Sequence, residues 1–231
     1  MLVKICGIST VMDAMAAARC KADFVGFVMG GNVLPPEVEP HAQTVREIIK
    51  QLPPVTESFI VTHLTEIEDI LELAEYVNSS GIQVSEDIGF EKLKQIRELT
   101  NRKIIKTIVV DKEHEESCFK KLKHYEPYCD FILLDTRVSG YTGGTGVTND
   151  WELCRKLIAK AKKPVLLAGG LTPNNVKQAI EMTHPHGVDV STGVSTYSQS
   201  YPRKDRKDEH KIRKFIRIAK AKNNRDEIWA S

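Results

Sequence analysis

Pro164-Val-Leu-Leu-Ala-Gly-Gly-Leu-Thr-Pro-Asn-Asn-Val176 joins three signals in one short stretch. The run 164–168 is apolar without alternation, which predicts a strand buried on both faces, as in a parallel sheet. Gly169-Gly170 then breaks the run. Thr172 ahead of Pro173 predicts a helix start, with a capping hydroxyl and a proline at the first helical position. Strand, glycine turn and capped helix make one βα unit.

Working outward from it, the same alternation fills the chain. Apolar runs rich in Val, Ile, Leu and Phe fall at 2–6, 24–28, 58–61, 81–84, 103–109, 131–134 and 187–190. Segments with helical spacing fall at 10–20, 41–52, 65–77, 90–99, 112–125, 150–161, 173–181 and 205–222. Ser9 or Thr10 caps the first of them and Thr65 the third. Eight strands alternating with eight helices predict a (β/α)8 TIM barrel, with a doubly wound open sheet as the alternative of similar content. A length of 231 residues suits a single barrel domain over 1–231. A basic helix and tail cover about 205–231 within it. The least regular stretches are 29–40, 136–149 and 196–204.

Lys and Arg number 33 and Asp and Glu 31, a net charge of +2, with 41% hydrophobic residues. That balance excludes a disordered chain, a collagen-like chain and a coiled coil, and gives no reason to expect nucleic acid. The basic residues crowding the last quarter are mixed with acids, as on a solvated helix. No apolar run approaches the length that spans a membrane. The start, Met1 to Cys6, is too short and too soon structured for a secretory signal. The five cysteines are Cys6, Cys20, Cys118, Cys129 and Cys154, and none form a C-x-x-C pair. A disulfide framework and a zinc site are therefore not expected, and the cytoplasm is the expected compartment. The seven histidines show no metal-ligand spacing. No long apolar face is left over once the helices are assigned, so a monomer and a homodimer both fit.

In a barrel the active site lies at the C-terminal ends of the strands. Two groups there can move protons: Cys6 at the end of the first strand and Asp135 where the sixth stops. Set across the ring, they can flank a small substrate as base and acid; a buried structural thiol and a loop-capping carboxylate are the plainer readings. Glycines mark a second feature. Gly169-Gly170 follows the seventh strand and Ser191-Thr192-Gly193 the eighth, the usual place for a phosphate held by backbone N–H groups. Gly143-Gly144-Thr145-Gly146 adds a third flexible turn beside them. Tight turns without a ligand are the alternative.

Together these residues resemble a family. The motifs are Lys4-Ile5-Cys6-Gly7-Ile8, Ala22-Asp23-Phe24-Val25-Gly26-Phe27-Val28, Leu133-Leu134-Asp135-Thr136 with Gly143-Gly144-Thr145-Gly146, Leu167 to Val176, and Gly187-Val188-Asp189-Val190-Ser191-Thr192-Gly193-Val194. In this order and spacing, from Lys4 to about Phe215, the chain is similar to phosphoribosylanthranilate isomerase of tryptophan biosynthesis. The resemblance implies an isomerase of the aldose–ketose type on a (β/α)8 barrel. It would carry N-(5-phosphoribosyl)anthranilate through an Amadori rearrangement to 1-(2-carboxyphenylamino)-1-deoxyribulose 5-phosphate. It implies Cys6 as general base and Asp135 as general acid. Asp189, Gln83, Gly144 and Gly146 would contact the substrate, and Gly169, Gly170, Ser191, Thr192 and Gly193 would hold its phosphate. The partner implied is a small phosphosugar, with no metal or organic cofactor.

Two departures stand against the match. The family carries an Arg-containing Ser-Arg-Arg or Ser-Lys-Arg stretch after the second strand, which holds the anthranilate carboxylate. Here the loop reads Met29-Gly-Gly-Asn-Val-Leu-Pro-Pro-Glu-Val-Glu-Pro40, without a cation. The family's Gln-Leu-His-Gly after the fourth strand is here Gln83-Val84-Ser85-Glu86. Losing a bidentate Arg on a carboxylate costs on the order of 2–3 kcal/mol. Either anthranilate is held differently, by His63, Lys106 or Arg137, or the substrate carries another amine. A non-catalytic phosphosugar-binding barrel is the reading from a different class. Related phosphoribosyl isomerases with paired aspartates fit less well, because the first strand ends in Cys6.

Overall fold

The computed structural model describes residues 1–30, 41–138, 141–142, 150–196 and 206–221; of 137–138 and 141–142 it describes the backbone alone. The strands are β1 (Leu2–Ile5), β2 (Phe24–Met29), β3 (Glu57–Thr62), β4 (Gly81–Val84), β5 (Lys103–Val110), β6 (Phe131–Val138), β7 (Tyr141–Thr142), β8 (Val165–Leu167) and β9 (Gly187–Val190). The helices are α1 (Val11–Arg19), α2 (Ala42–Gln51), α3 (Ile67–Val77), α4 (Gly89–Leu99), α5 (Glu115–Tyr125), α6 (Trp151–Lys160), α7 (Val176–Thr183) and α8 (Glu209–Ala219). The sheet order β5-β4-β3-β2-β1-β9-β8-β6 closes through β5–β6, and every pairing in that ring is parallel. This is the (β/α)8 barrel, and the open sheet is excluded. β7 is a short addition that pairs antiparallel with the end of β6.

Alternation along each strand makes two cores. Outward-facing residues, with the helices, form the larger one, which includes Ile5, Val25, Ile60, Ile82, Ile104 and Ile132. Inward-facing residues form a separate small cluster of Phe24, Phe59, Ile105, Leu133, Leu166 and Ala168. Phe24 meets Phe59 and Phe131 edge-on, with ring centroids 5.1 and 5.5 Å apart. This apolar floor plugs the N-terminal end of the barrel. The inward positions above it are polar: Lys4, Gln83, Thr107 and Asp189, all buried. A floor of rings under a polar layer leaves one end of the barrel suited to a polar ligand.

Local starts and stops depart from the sequence reading at several places. Thr10 caps α1 as expected: its hydroxyl accepts the Asp13 N–H at 3.2 Å and donates to the Asp13 carboxylate at 2.8 Å. Thr65 does not cap α3. The helix begins one residue later, and the Thr65 hydroxyl donates to Glu66 instead. α7 begins at Val176 rather than at Pro173, because 172–175 forms a turn closed by side chains. β6 does not stop at Leu134. Its pairing with β5 continues through Val109↔Asp135 and Val110↔Thr136, which places Asp135 inside the strand. The last helix starts at Glu209, capped by Asp208, whose carboxylate accepts the Lys211 N–H.

Candidate active site

Register builds the centre of the site. β1 and β9 pair with Lys4 opposite Asp189, and partners in a parallel ladder point to the same side of the sheet. Their side chains meet inside the barrel, Lys4 Nζ 3.0 Å from Asp189 Oδ1, with Lys4 fully buried and the Asp189 side chain 9% exposed. Two residues on, Cys6 points the same way, just past the strand, where its N–H continues the ladder to Val190 O at 2.9 Å. Gly26 on β2 leaves room for both. A methyl group there would sit 3.0 Å from Lys4 Nζ and 3.1 Å from Cys6 Sγ. Burial works against the charge of Lys4, but Asp189 and Cys6 outweigh it and leave the amine more basic than usual. Burial pushes the Cys6 thiol up, and Lys4 is the largest influence opposing that rise.

Asp135 faces this pair from β6. Its Oδ1 accepts the Thr136 N–H at 2.8 Å. It lies against the glycine turn after β8, where a Cβ on Gly169 would come within 3.2 Å of the same oxygen. Burial raises its carboxyl to about 7, with the Asp189 charge adding to the rise and Lys4 opposing it. A carboxyl poised there holds its proton at neutral pH and can give it up, as a general acid must.

The glycine turn is locked by a residue that composition and spacing did not single out. Asn175 Nδ2 donates to Gly170 O at 2.9 Å, and its Oδ1 accepts the Thr172 N–H at 2.7 Å. Gly169 and Gly170 sit at φ +85° and +63°, a region that costs other residues strain. Across from this turn, Ser191 leads into a short 3-10 turn, Thr192–Val194. Gly193 presses so close that a Cβ would lie 1.9 Å from Leu171 O. Gly169, Gly170, Ser191, Thr192 and Gly193 therefore gather between the ends of β8 and β9.

Beside them, Lys207 Nζ donates to Ser191 O and Ser195 Oγ, each at 3.1 Å. Its charge also reaches Cys6. The segment that carries it is tied to α1 by Asp13, which accepts the Arg206 Nε–H and the Lys207 N–H, each at 3.2 Å. Both Asp13 and Lys207 escaped the sequence reading, because only the folded barrel brings position 13 against position 207.

On the far side, Gln83 points inward. Its Nε2 donates to Thr107 Oγ1 at 3.2 Å, while its buried Oε1 has no hydrogen-bond partner among the described residues. His63 follows β3, and its Nδ1 lies 2.7 Å from Glu86 Oε1. Lys106 is a correction to the carboxylate-holding set. Ile105 faces the barrel interior, so Lys106 faces out. Its ammonium lies 5.1 Å from the Tyr125 ring centroid and donates to Val84 O, Glu86 O and Thr107 O. Those three carbonyls use all three donors. The Arg137 side chain, Gly144 and Gly146, expected to contact the substrate, and the loop 31–40 lie outside the described residues. Cys20, Cys118, Cys129 and Cys154 are buried in the outer core. Among the described residues no group of three or more His, Cys, Asp or Glu can hold a metal ion. No described helix is long and apolar enough to cross a membrane.

A thiol, a carboxyl raised to near neutrality and a pair of glycine turns around one barrel mouth direct the comparison with known proteins. The model of the family described as N-(5'-phosphoribosyl)anthranilate isomerase matches residues 3–218. The chain belongs to that family. The isomerase of Methanosarcina acetivorans is 35% identical over 224 residues, covering 93% of this chain and 91% of the relative. That of Haloferax volcanii is 31% identical over 218 residues, covering 94% and 92%. Among solved structures, the phosphoribosyl anthranilate isomerase of Thermotoga maritima aligns with a TM-score of 0.80 and 32% identity, over 95% of this chain and 99% of that one. A second is the isomerase in complex with reduced 1-(o-carboxyphenylamino)-1-deoxyribulose 5-phosphate. It aligns at 0.76 with 31% identity, over 95% and 98%. The chain is thus a phosphoribosylanthranilate isomerase family barrel.

Proposed function

We propose that this isomerase, which rearranges N-(5-phosphoribosyl)anthranilate in tryptophan biosynthesis, uses Asp135 as its general acid and Cys6 as its general base. The observation that carries the assignment is the placement of a thiol and a near-neutral carboxyl around one buried Lys4–Asp189 pair. Asp135 gives its proton to the furanose ring oxygen. The ring C1–O bond breaks, and the anilino nitrogen's lone pair makes a protonated Schiff base. The Cys6 thiolate removes the C2 proton, and that electron pair neutralises the iminium as an enolamine. Loss of the C2 hydroxyl proton and gain of one at C1 give the aminoketose. Each transfer needs only a proton, so no step calls on a cofactor.

The phosphate sits against backbone N–H groups of Gly169, Gly170, Ser191, Thr192 and Gly193, where the glycines let the chain approach the oxygens. Gln83 offers its unpaired Oε1 to a substrate hydroxyl, and Asp189 offers its second oxygen to the ribose part. With Lys106 turned outward, His63 is the described cation candidate for the aromatic acid end. Its Nδ1 side is held by Glu86, so the other ring nitrogen is the one presented. The enzyme works in the cytoplasm on this small phosphosugar, as a monomer or homodimer; the Thermotoga maritima relative is described as dimeric.

The direct test uses freshly made phosphoribosylanthranilate and follows the loss of its fluorescence. Catalysed decay that Cys6→Ser and Asp135→Asn each abolish is expected. Decay no faster than the spontaneous reaction would sink the activity, and near-normal turnover by either variant would sink that residue's role.

A further inference from the structure

Lys4 is fully buried in the barrel, a place where an ammonium is costly unless a charge partner meets it. It meets Asp189 at 3.0 Å. The same ammonium and the Cys6 sulfur both border the space over Gly26, which has no side chain to separate them. An apolar pair would fill the layer above the phenylalanine floor at least as stably. Structure alone therefore gives no reason for the ion pair, while its position under the thiol does.

We propose that Lys4 is a positioning residue of the reaction: its buried ammonium, clamped by Asp189, stabilises the thiolate of Cys6 at the barrel mouth. This rests on Cys6 being the base. Among the described residues, the charged groups facing Cys6 are Lys4 from its own strand, Asp189 from β9 and Lys207 from the segment before α8. Asp135 faces the Lys4–Asp189 pair from β6. Lys4 is the largest of the charges that favour the thiolate, and Asp189 opposes it. Asp189 thereby does two opposed things: it fixes the ammonium in place and limits how far that ammonium acidifies the thiol. An ammonium shared between carboxylate and thiolate keeps the sulfur basic enough to take a carbon-bound proton, yet ionised often enough to act.

The test reads thiol ionisation without substrate. The full-length protein is alkylated with iodoacetamide across a pH series, and the Cys6 peptide is quantified by mass spectrometry. Lys4→Met is expected to move the midpoint of Cys6 alkylation up by about one pH unit or more, roughly a tenfold loss of thiolate at pH 8. Asp189→Asn is expected to move it down, because the opposing charge is gone. Lys4→Arg, which keeps the charge, stays near wild type. The acid limb of kcat/KM shifts with the alkylation midpoint in Lys4→Met, while affinity for the reduced product analogue stays within about twofold. Where Lys4→Met does not fold, Lys4→Met with Asp189→Asn removes both buried charges together and is read the same way, with the midpoint still above wild type. An alkylation profile superimposable on wild type in a folded variant lacking Lys4 overturns the proposal. Failure of Cys6 as the base shows separately, as retained turnover in Cys6→Ser whatever the alkylation midpoints do.

Discussion

The two sides of the barrel mouth use their charges differently. On the β1, β6 and β9 side, Lys4, Cys6, Asp135 and Asp189 all point inward and act on one another in the polar layer. On the β3, β4 and β5 side, the charges are largely taken up by the protein: Lys106 is turned outward onto three carbonyls, and His63 is held by Glu86. The first side carries the Lys4–Gly7 and Gly187–Val194 motifs, and the second carries Gln83-Val84-Ser85-Glu86. The contrast teaches that strand register pins the inward-facing groups to one another, while groups on strand ends and loops, such as His63 and Glu86, are held by local partners and exchange more easily.

The most severe way to break the first side is to remove its proton carriers. Cys6→Ser and Asp135→Asn are each expected to lower kcat by about 10²–10⁴-fold with the fold intact, read in the fluorescence assay with circular dichroism as control. Wild-type kcat should also decline as pH rises past about 7, because Asp135 then loses the proton it must give. The same group sets a stability trend. Its folded-state pKa is above the unfolded one, so between about pH 4 and 7 the native chain holds a proton the unfolded chain has released. Stability is fullest below that window and is lost as pH rises through it. Asp135→Asn should flatten the trend by about 1–2 kcal/mol, discounted for the solvent that reaches the rim, in denaturant melts at several pH values.

The phosphate end comes next. Gly193→Ala forces a Cβ into Leu171 O, so the Gly169–Leu171 turn and the 192–194 turn must separate. KM is expected to rise by an order of magnitude or more, with a stability loss of about 1–3 kcal/mol. Unchanged KM would remove these turns from the phosphate position.

The second side is sharpened by His63→Ala. If His63 meets the anthranilate carboxylate, the loss is about 1.5–3 kcal/mol, or roughly 10–100-fold in KM, and little in kcat. A KM equal to wild type would move the carboxylate contact to another group. The smallest effect on activity is expected from Lys106→Met. It leaves three carbonyls without their donor and costs about 1–3 kcal/mol of stability, while KM stays within about twofold. A large KM effect there would contradict the outward-facing reading.

Much of the fold was legible in the chain, and for a simple reason. Runs such as 131–134 and 165–168 are apolar on both faces, which only a sheet covered by helices and filled inside can satisfy. Where the reading missed, a specific hydrogen bond or ladder pairing overrode the local pattern. Asn175 reaches back to Gly170 and Thr172, which delays α7 past Pro173. Pairing with Val109 and Val110 carries β6 through Asp135, so the acid stands on a strand and not on a loop. Lys106 offered itself as a cation near the missing Arg, but the period of two turned it away from the site.

By itself, the sequence determined the βα alternation, the glycine turns after β8 and β9, and a thiol and a carboxyl toward the C-terminal ends of their strands, because periodicity and residue type are local properties. Only the tertiary structure decided that Lys4 meets Asp189 beneath Cys6, that Asp13 ties Lys207 to the rim, and that Lys106 faces Tyr125. Those contacts depend on barrel closure and ladder register, which bring together residues as far apart as 194 positions.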